Sequence, residues 1–385
     1  MDSVIFFNSF DSLIFKEYSM EVQIFNSIND IKEIDWNQLV HSDDIFNKYH
    51  FHRALENSKS IGAERGQLPF YITIREGKEL QAACVVYLKT HSYGEYIFDW
   101  SWADFVERSG HSYYPKLVAQ NPFTPVINRK FLGDLQFVPQ LLEEIDTLAK
   151  NLKCSSSHLL FLENKESKKV SESYKSRSSF QYHWKNRGYK SFEHFLNSLK
   201  SRKSKQIRKE RASDLLIKVI EGSELSNFGS KFYALYQSTI DKKRSFAYLT
   251  PEFFNYIFNH LQESTMLIAA FKEQNLVAAS LFFKGEKKLY GRYWGALEEY
   301  KNLHFELCYY QGIEYSIKYN YETFEAGAQG EHKIPRGFEP TLINSAHCIY
   351  NELFQGPIYN FIDQEALEVE KIISELSHRL PFKKV

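Results

Sequence analysis

The chain has 385 residues, 43% of them hydrophobic and 16% aromatic, so it is long enough for two domains with large cores. Its 48 basic and 48 acidic residues cancel, which argues against a general attraction to nucleic acid and leaves only local clusters of charge. Four scattered cysteines without a Cys-x-x-Cys pair argue against a metal site and are typical of a reducing cytoplasm, the location we expect.

The N-terminal residues carry no targeting signal that we can identify. They lack a basic region, and Asp11 interrupts their apolar stretch, so a signal peptide is not expected. No apolar run in the chain approaches the roughly 20 residues that a membrane helix needs. A compact pattern begins just after Met20, so either Met1 or Met20 could be the start.

The first predicted elements form a hairpin. Residues 72–87 read as a strand, a polar turn at Glu76-Gly77-Lys78 and a second strand. The segment that follows is dense in aromatic rings, and both a ligand-binding wall and ordinary core packing would explain this density. If this segment forms a binding wall, the substrate-binding residues are Tyr93, Asp99, Trp100 and Lys116.

A polar segment separates this region from the rest of the chain. Residues 165–179 are rich in Ser, Lys and Glu and poor in apolar residues, which predicts a loop or surface insertion. We therefore predict an N-terminal domain over 1–165, a linker over 166–190 and a C-terminal domain over 191–385.

A basic cluster opens the predicted second domain. Residues 199–211 hold seven basic side chains and one acid, and on a helix Arg202, Lys205 and Lys209 share one side. Such a cluster can hold phosphates through charge-assisted hydrogen bonds, or it can be a solvated helix face.

An internal repeat organises the chain. Residues 268–283 resemble 72–87 at an offset of 196, including Leu276, Ala278 and Ala279. Three pairs of runs match in the same order: 72–87 with 268–283, Tyr93–Tyr96 with Tyr290–Tyr293, and Ala119-Gln120 with Ala328-Gln329. We interpret them as two homologous units.

The second unit continues through a strand and a helix. At Tyr290–Gly295 two glycines flank Arg292, Tyr293 and Trp294, which fits either substrate binding or core packing. Apolar residues at every fourth position then predict a helix from about His304 to Tyr319. Asn302 is its expected N-cap, and Asn320 is expected in a left-handed C-terminal position.

The first turn of this helix carries two polar candidates. His304 and Glu306 could project toward a substrate, although an acid near a helix N-terminus is also favourable in itself. A strand over 323–327 follows the helix. Strands, a helix and a further strand predict an α+β fold with mixed, mostly antiparallel sheets flanked by helices.

The run Glu325–Phe338 has the highest density of catalytic residue types. Acylation of an amine needs a base for the attacking nitrogen and positive charge for the carbonyl oxygen. A tight structural turn with incidental charges is the alternative. The catalytic candidates are Glu325, Glu331, His332, Lys333 and Arg336, with Gln329 as a further substrate-binding residue.

Several long runs resemble the FemAB-like predicted N-acyltransferases of the GNAT superfamily, relatives of the Fem ligases of peptidoglycan synthesis. The similar runs are His91–Trp100, Tyr113–Leu117, Gln181–Trp184, Ser201–Lys203, Ile207–Arg211, Leu289–Gly295, His304–Gln311, Glu325–Lys333 and Arg336–Phe338. The resemblance implies tandem GNAT-like domains with the acceptor in the cleft between them. By the Fem pattern, Lys333 would be the cleft lysine, and the phosphate-binding set would be Arg202, Lys203, Arg208 and Arg211.

The acyl donor is open at this point. The helix at His304 lacks the Gln/Arg-x-x-Gly-x-Gly/Ala loop that holds the pyrophosphate of coenzyme A in GNAT enzymes, which favours aminoacyl-tRNA over acyl-CoA. We expect direct transfer to an amine of a small, phosphate-bearing or peptide acceptor. The alternatives are an acyl-CoA-dependent N-acetyltransferase and a non-catalytic module that binds RNA or a cell-wall precursor. The oligomeric state is left open.

Overall fold

The structure is a computed structural model that describes residues 20–328 and 330–383. Within these residues, strands β1 to β13 span Met20–Phe25, Gln67–Glu76, Glu79–Lys89, Lys116–Ala119, Phe131–Gly133, Ser156–Leu162, Lys175–Lys185, Leu216–Ile220, Thr265–Lys272, Asn275–Lys284, Lys288–Ala296, Thr323–Glu325 and Phe338–Ile349. Helices α1 to α12 span Glu33–Asn37, Tyr49–Asn57, Trp100–Arg108, Val138–Asn151, Asn164–Val170, Phe192–Ser198, Ser201–Glu210, Gly229–Lys242, Pro251–His260, Leu303–Phe305, Gln311–Lys318 and Glu352–His378. Short 3-10 helices span Ile28–Asp30, Ile45–Asn47, Ala63–Arg65, Leu135–Phe137, Gly222–Asn227, Gln262–Ser264 and Glu331–Arg336.

One sheet contains all thirteen of these strands. Its order is β1-β2-β3-β4-β6-β13-β7-β12-β11-β10-β9-β8, and β5 pairs with β3. The pairs β4–β6 and β11–β12 are parallel, whereas the other pairs are antiparallel. This arrangement, with helices packed on the sheet, confirms the predicted α+β class.

The repeat is confirmed at the level of residue pairs. Ile72 pairs with Cys84 in the hairpin β2–β3, and Ile268 pairs with Ser280 in the hairpin β9–β10, at the predicted offset of 196. Both hairpins also carry an extra residue at the same place, Gln81 in one and Val277 in the other. A shared bulge in a shared register indicates two copies of one structural unit.

The two shorter matches of the repeat are wrong as structural correspondences. Tyr93–Tyr96 lies between β3 and α3, whereas Tyr290–Tyr293 lies within β11. The strand that corresponds to β11 is β4, because each pairs antiparallel with the second hairpin strand of its unit and parallel with a later strand, β6 for β4 and β12 for β11. Ala119 ends β4, Ala328 follows β12, and Gln329 lies outside the described residues.

The two units exchange strands at the centre of the sheet. After β6 the chain does not return to the first unit; instead β7 pairs with β12 of the second unit. The last strand of the chain, β13, lies between β6 and β7 and pairs with both. The division at residues 165 and 191 therefore stays a prediction, since the sheet is continuous across it.

The prediction of a loop over 165–179 is wrong. Helix α5 covers its first part, and a capping box between Glu163 and Glu166 stabilises the start of that helix. The later residues form the first half of β7, where each residue from Lys175 to Trp184 has a partner on β13. The pairing supplies the order here, because polar side chains with weak strand preference can be overridden by tertiary context.

The long helix of the second unit is confirmed with two differences. A π turn at Glu306–Tyr310 joins α10 to α11, where the pattern predicted a regular helix. Asn320 adopts the expected left-handed conformation, with φ of 58°. Asn302 precedes the helix but its side chain makes no capping hydrogen bond, and its own φ is 61°.

A common apolar core joins the two units. Phe46 and Phe51 of the first unit are fully buried against Phe253 and Phe283 of the second. Their rings contact edge to face, with centroids 4.9 Å apart for Phe46 and Phe283 and 5.9 Å apart for Phe51 and Phe253. Each such burial contributes about 2 kcal/mol, so the two units stabilise each other through this core.

Candidate active site

The loop between β12 and β13 places a buried lysine at the centre of the sheet. It folds as a short 3-10 helix, Glu331–Arg336, between Gly330 and Gly337, whose φ angles of 114° and 90° favour glycine. Within it, Lys333 is only 1% exposed, and its Nζ donates to the carbonyl oxygen of Gly327 at 2.7 Å. An ammonium group offers three donors, and this is the only hydrogen bond that Lys333 Nζ makes to the residues the structure describes.

The environment of Lys333 weakens its charged form. Burial, and after it the positive charge of Arg292, lowers the pKa of Lys333 to about 7. An amine whose pKa lies near neutrality can be charged or neutral under ordinary conditions. Such tuned groups are concentrated at active sites.

A buried ion pair lies beside this lysine. Arg292 on β11 and Glu325 on β12 have side chains that are 2% and 3% exposed, with Nη2 and Oε2 3.2 Å apart. Arg292 also donates from Nη1 to the main-chain oxygen of Glu325 at 3.1 Å. Its guanidinium lies 5.6 Å from the ring of Phe46, so the pair is located where the two units meet.

Strand β7 adds two polar side chains that the sequence analysis did not select. His183 pairs in register with Glu325 on β12, and its Nε2 lies 3.1 Å from Oε1 of Gln181. Gln181 in turn donates to the carbonyl oxygen of Pro125 in the first unit, at 3.3 Å. Burial lowers the pKa of His183 to about 4. The signal was present as two polar residues at alternate positions in an aromatic run, beside Tyr182 and Trp184.

A cavity of about 520 Å³ opens beside α10, and three of the predicted residues lie at or near it. Trp294 and His304 line it, with ring centroids 5.4 Å apart, and the ring of His332 lies 6.4 Å from that of His304. His332 Nε2 is within 2.8 Å of the hydroxyl of Tyr309. Burial lowers the pKa of His304 to about 4 and that of His332 below its usual range, so both rings are neutral near pH 7.

Two of the predicted catalytic residues have other partners. Glu331 is 61% exposed and forms an ion pair with Arg379 at 3.1 Å. Arg336 is buried, and it donates to Glu210 at 2.8 Å and to the hydroxyl of Tyr310 at 2.9 Å. These contacts of Arg336 hold the loop against α7.

The predicted phosphate-binding set does not converge on one point. Arg211 donates through two nitrogens to Glu306, at 2.9 and 3.0 Å, so these two predicted ligand-binding residues bind each other. Arg208 is held by Ser204 at 2.6 Å and by Glu193.

The remaining basic residues of α7 point outward. Arg202, Lys205 and Lys209 are exposed, Lys203 is half-buried, and none of the four has an ion-pair partner among the described residues. They form an exposed basic face, which we call the α7 face.

The polar candidates of the first unit are inaccessible. Lys116 is fully buried and donates to Ser92 at 2.7 Å, to Glu95 at 2.9 Å and to Asp99. Asp99 also accepts from the hydroxyl of Tyr113 at 2.7 Å. We therefore correct the expectation that Asp99 and Lys116 bind substrate, because their side chains bind each other in the interior.

The aromatic candidates lie between the units. Tyr93 and Trp100 are 44% and 41% exposed, with ring centroids 5.1 Å apart, and Tyr93 contacts Phe246 of the second unit at 5.3 Å. Tyr93 lines a cavity of about 410 Å³. Tyr293 instead joins the units, since its hydroxyl donates to the carbonyl oxygen of Phe123 at 3.1 Å.

A family model described as peptidoglycan biosynthesis and recognition matches residues 27–384. The chain belongs to the FemAB-like family. Among solved structures, that of FemX is similar with a TM-score of 0.53 at 11% identity, covering 88% of this chain and 99% of FemX. It shows that the fold is of the tandem GNAT-like type that the FemAB-like resemblance implied.

Other comparisons are more distant. L-PGS from Bacillus licheniformis gives a TM-score of 0.49 at 11% identity, over 80% of this chain and 93% of that one. A tandem GNAT protein from the clavulanic acid biosynthesis pathway gives 0.45 at 9% identity, over 86% and 98%. No curated protein sequence matches the chain. In the described ranges, no helix combines the length and apolar character needed to cross a bilayer.

Proposed function

We propose that this FemAB-like protein transfers an acyl or aminoacyl group to an amine of a phosphate-bearing or peptide acceptor in peptidoglycan synthesis. The observation that carries the proposal is Lys333, a buried lysine at the centre of the two-unit sheet whose pKa is about 7 and whose Nζ makes a single hydrogen bond to the described residues. Lys333 has no ion-pair partner within the described part of the chain, and a buried ammonium in that situation is costly to fold. Groups of this kind cluster at functional sites.

The reaction is a direct displacement. The amine nitrogen attacks the donor carbonyl carbon, and a C–N bond forms while the C–O bond of a tRNA ester, or the C–S bond of a thioester, breaks. His332 or Glu325 accepts the proton that the amine loses, and the departing oxygen or sulfur takes up a proton. Protonated Lys333, with Arg292 nearby, offsets the negative charge that develops on the carbonyl oxygen.

Two features favour aminoacyl-tRNA as the donor. The segment between β11 and α10, residues 297–302, contains no glycine, so it lacks the glycine-rich loop that holds the pyrophosphate of coenzyme A at a helix start. The α7 face offers exposed cations that suit the backbone of RNA. This donor assigns the reaction to the cytoplasm.

The donor test uses matched reactions. Labelled aminoacyl-tRNA and labelled acetyl-CoA are supplied separately, each with a nucleotide-linked peptidoglycan precursor, and label on the precursor is measured. We expect transfer from aminoacyl-tRNA. Transfer from acetyl-CoA alone would instead support the acetyltransferase alternative.

A non-catalytic binding module is the remaining alternative. It predicts that a Lys333→Ala, His332→Ala double variant keeps full cellular function, because neither residue would take part in a reaction. The enzyme proposal predicts loss of function in that variant at unchanged protein level.

A further inference from the structure

A third cavity, lined by polar residues, lies at the junction of the units. It borders the start of β11, whereas the cavity beside His304 borders its end. The third cavity has a volume of about 350 Å³, within the range of small-ligand sites, about 300–1,000 Å³. Arg129 and Lys165 of the first unit and Lys288 of the second line it, together with the single carboxylate Glu163. The lining therefore carries an excess of two positive charges.

The three cations keep free donors. Arg129 Nε is 3.8 Å and Lys288 Nζ is 3.9 Å from the carboxylate of Glu163, and Arg129 Nε is 3.9 Å from Asp44. These separations exceed hydrogen-bond lengths. Among the described residues, the side chains of Arg129, Lys165 and Lys288 make no hydrogen bond.

Three acids lie in or behind the lining, and they offset only part of its positive charge. Glu163 is the N-cap of α5, and its side chain accepts a hydrogen bond from the backbone there, which fixes its orientation. Asp44 and Glu166 lie behind the lining, where burial raises their pKa values to about 6 and about 7. Lys130, also buried behind it, adds a further cation whose pKa burial lowers to about 8.

The main chain that carries the cations is held in place. The backbone nitrogen of Lys288 donates to Asp43 at 3.1 Å, and the carbonyl oxygen of Arg129 accepts from Asn47 at 2.7 Å. One segment of the first unit, 43–47, thus positions the start of β11 and the loop of Arg129. A site positioned before binding loses little entropy when a ligand arrives.

We infer that this cavity binds a phosphate or diphosphate group of a small ligand, through Arg129, Lys165 and Lys288. Guanidinium and ammonium donors that line one open pocket suit phosphate oxygens. An RNA backbone would require a longer basic stripe, such as the α7 face.

The test measures inorganic pyrophosphate binding by isothermal titration calorimetry, without acyl donor. We expect an Arg129→Gln, Lys288→Gln variant to lose about tenfold or more in affinity, since it removes hydrogen bonds between charged groups. The matched control, Lys218→Gln on β8 with Lys272→Gln on β9, changes two exposed lysines with no assigned role and should bind as the wild type does. Equal loss in both variants, or in neither, would overturn the inference.

A gain-of-affinity variant guards against misfolding. Glu163→Gln keeps a side-chain oxygen for capping but removes the competing charge, so pyrophosphate should bind several-fold more tightly. Unchanged or weaker binding counts against the site. If deacylated tRNA displaces pyrophosphate from the wild type but not from a variant that lacks Arg129, the cavity binds RNA, and the inference of a small-ligand site is overturned. Because no donor is present, failure here leaves acyl transfer intact, and failure of transfer leaves this binding intact.

Discussion

Burial of the Lys333 side chain lowers the stability of the fold, although the proposed acyl transfer needs this residue. Its pKa is about 7 in the folded protein and 10.5 ordinarily, so the unfolded chain binds more protons between these values. The free energy of unfolding therefore rises with pH across this window, and the cost of burying the charge is complete below pH 7.

We predict that Lys333→Met raises the free energy of unfolding by a few kcal/mol at pH 6, because it removes the buried charge, with a smaller gain at pH 9. Urea unfolding at the two pH values measures this. Acyl transfer by the same variant should be abolished. A variant less stable than the wild type at pH 6 would show that Lys333 is not desolvated.

His332 is the accessible candidate for the base. Burial, and after it the charges of Lys333 and Arg336, lower the pKa of His332 below the usual 6.5. The ring therefore stays neutral below pH 6.5 and is protonated only when the pH falls through this lowered pKa. We predict an acid limb in the pH profile of kcat/KM that disappears in His332→Gln, with a fall in rate of roughly 10²–10⁴-fold.

The neighbouring acid supplies the control for His332. Glu331 is exposed and pairs with Arg379 on the surface, so Glu331→Gln should keep both the rate and the acid limb. If the limb survives in His332→Gln, another group, such as Glu325, takes the proton.

Sequence patterns identified part of this site and missed the rest for a physical reason. Lys333 and Trp294 were selected from the local density of polar and aromatic residue types, and His304 from its place in the first turn of the predicted helix. The pairing of Arg211 with Glu306 joins residues 95 positions apart, and only the packing of α7 on the π turn brings them together. His183 lies in the run Gln181–Trp184 but was not selected as a site residue, because only the pairing of β7 with β12 brings it beside Glu325.

At the scale of elements, α7 has one structural and one exposed side. We predict that Arg211→Gln lowers the free energy of unfolding by about 2–3 kcal/mol, because it leaves Glu306, 3% exposed, without its partner. The exposed Arg202→Gln on the same helix should change it by less than about 0.5 kcal/mol. Chemical denaturation of both variants measures the difference, and similar values for the two would contradict the assigned roles.

The elements that depend mainly on local sequence could be predicted from it. The hairpins β2–β3 and β9–β10 follow from apolar strands and polar turns, and their shared register follows from the repeat. Strand β7 could not be predicted in the same way. Its first half is polar, and it is ordered by pairing with β13, more than 150 residues later.

For the whole molecule, strand exchange makes the units interdependent. We predict that fragments 1–190 and 191–385 are each unfolded or aggregated when expressed alone, because the first lacks the β13 partner of β6 and the second lacks the β7 partner of β12. Expressed together, they should reassemble into a species with the circular dichroism of the intact chain. Independent cooperative folding of either fragment would contradict this account.

The central claim is that the junction of the two units of this FemAB-like protein is a centre of acyl transfer built around Lys333. The most direct measurement is single-turnover transfer of a labelled aminoacyl group from tRNA to the amine of a nucleotide-linked peptidoglycan precursor, by the wild type and by Lys333→Met. We predict labelled product with the wild type and a loss of at least about 10²-fold with the variant. Equal transfer by the two proteins would contradict the claim.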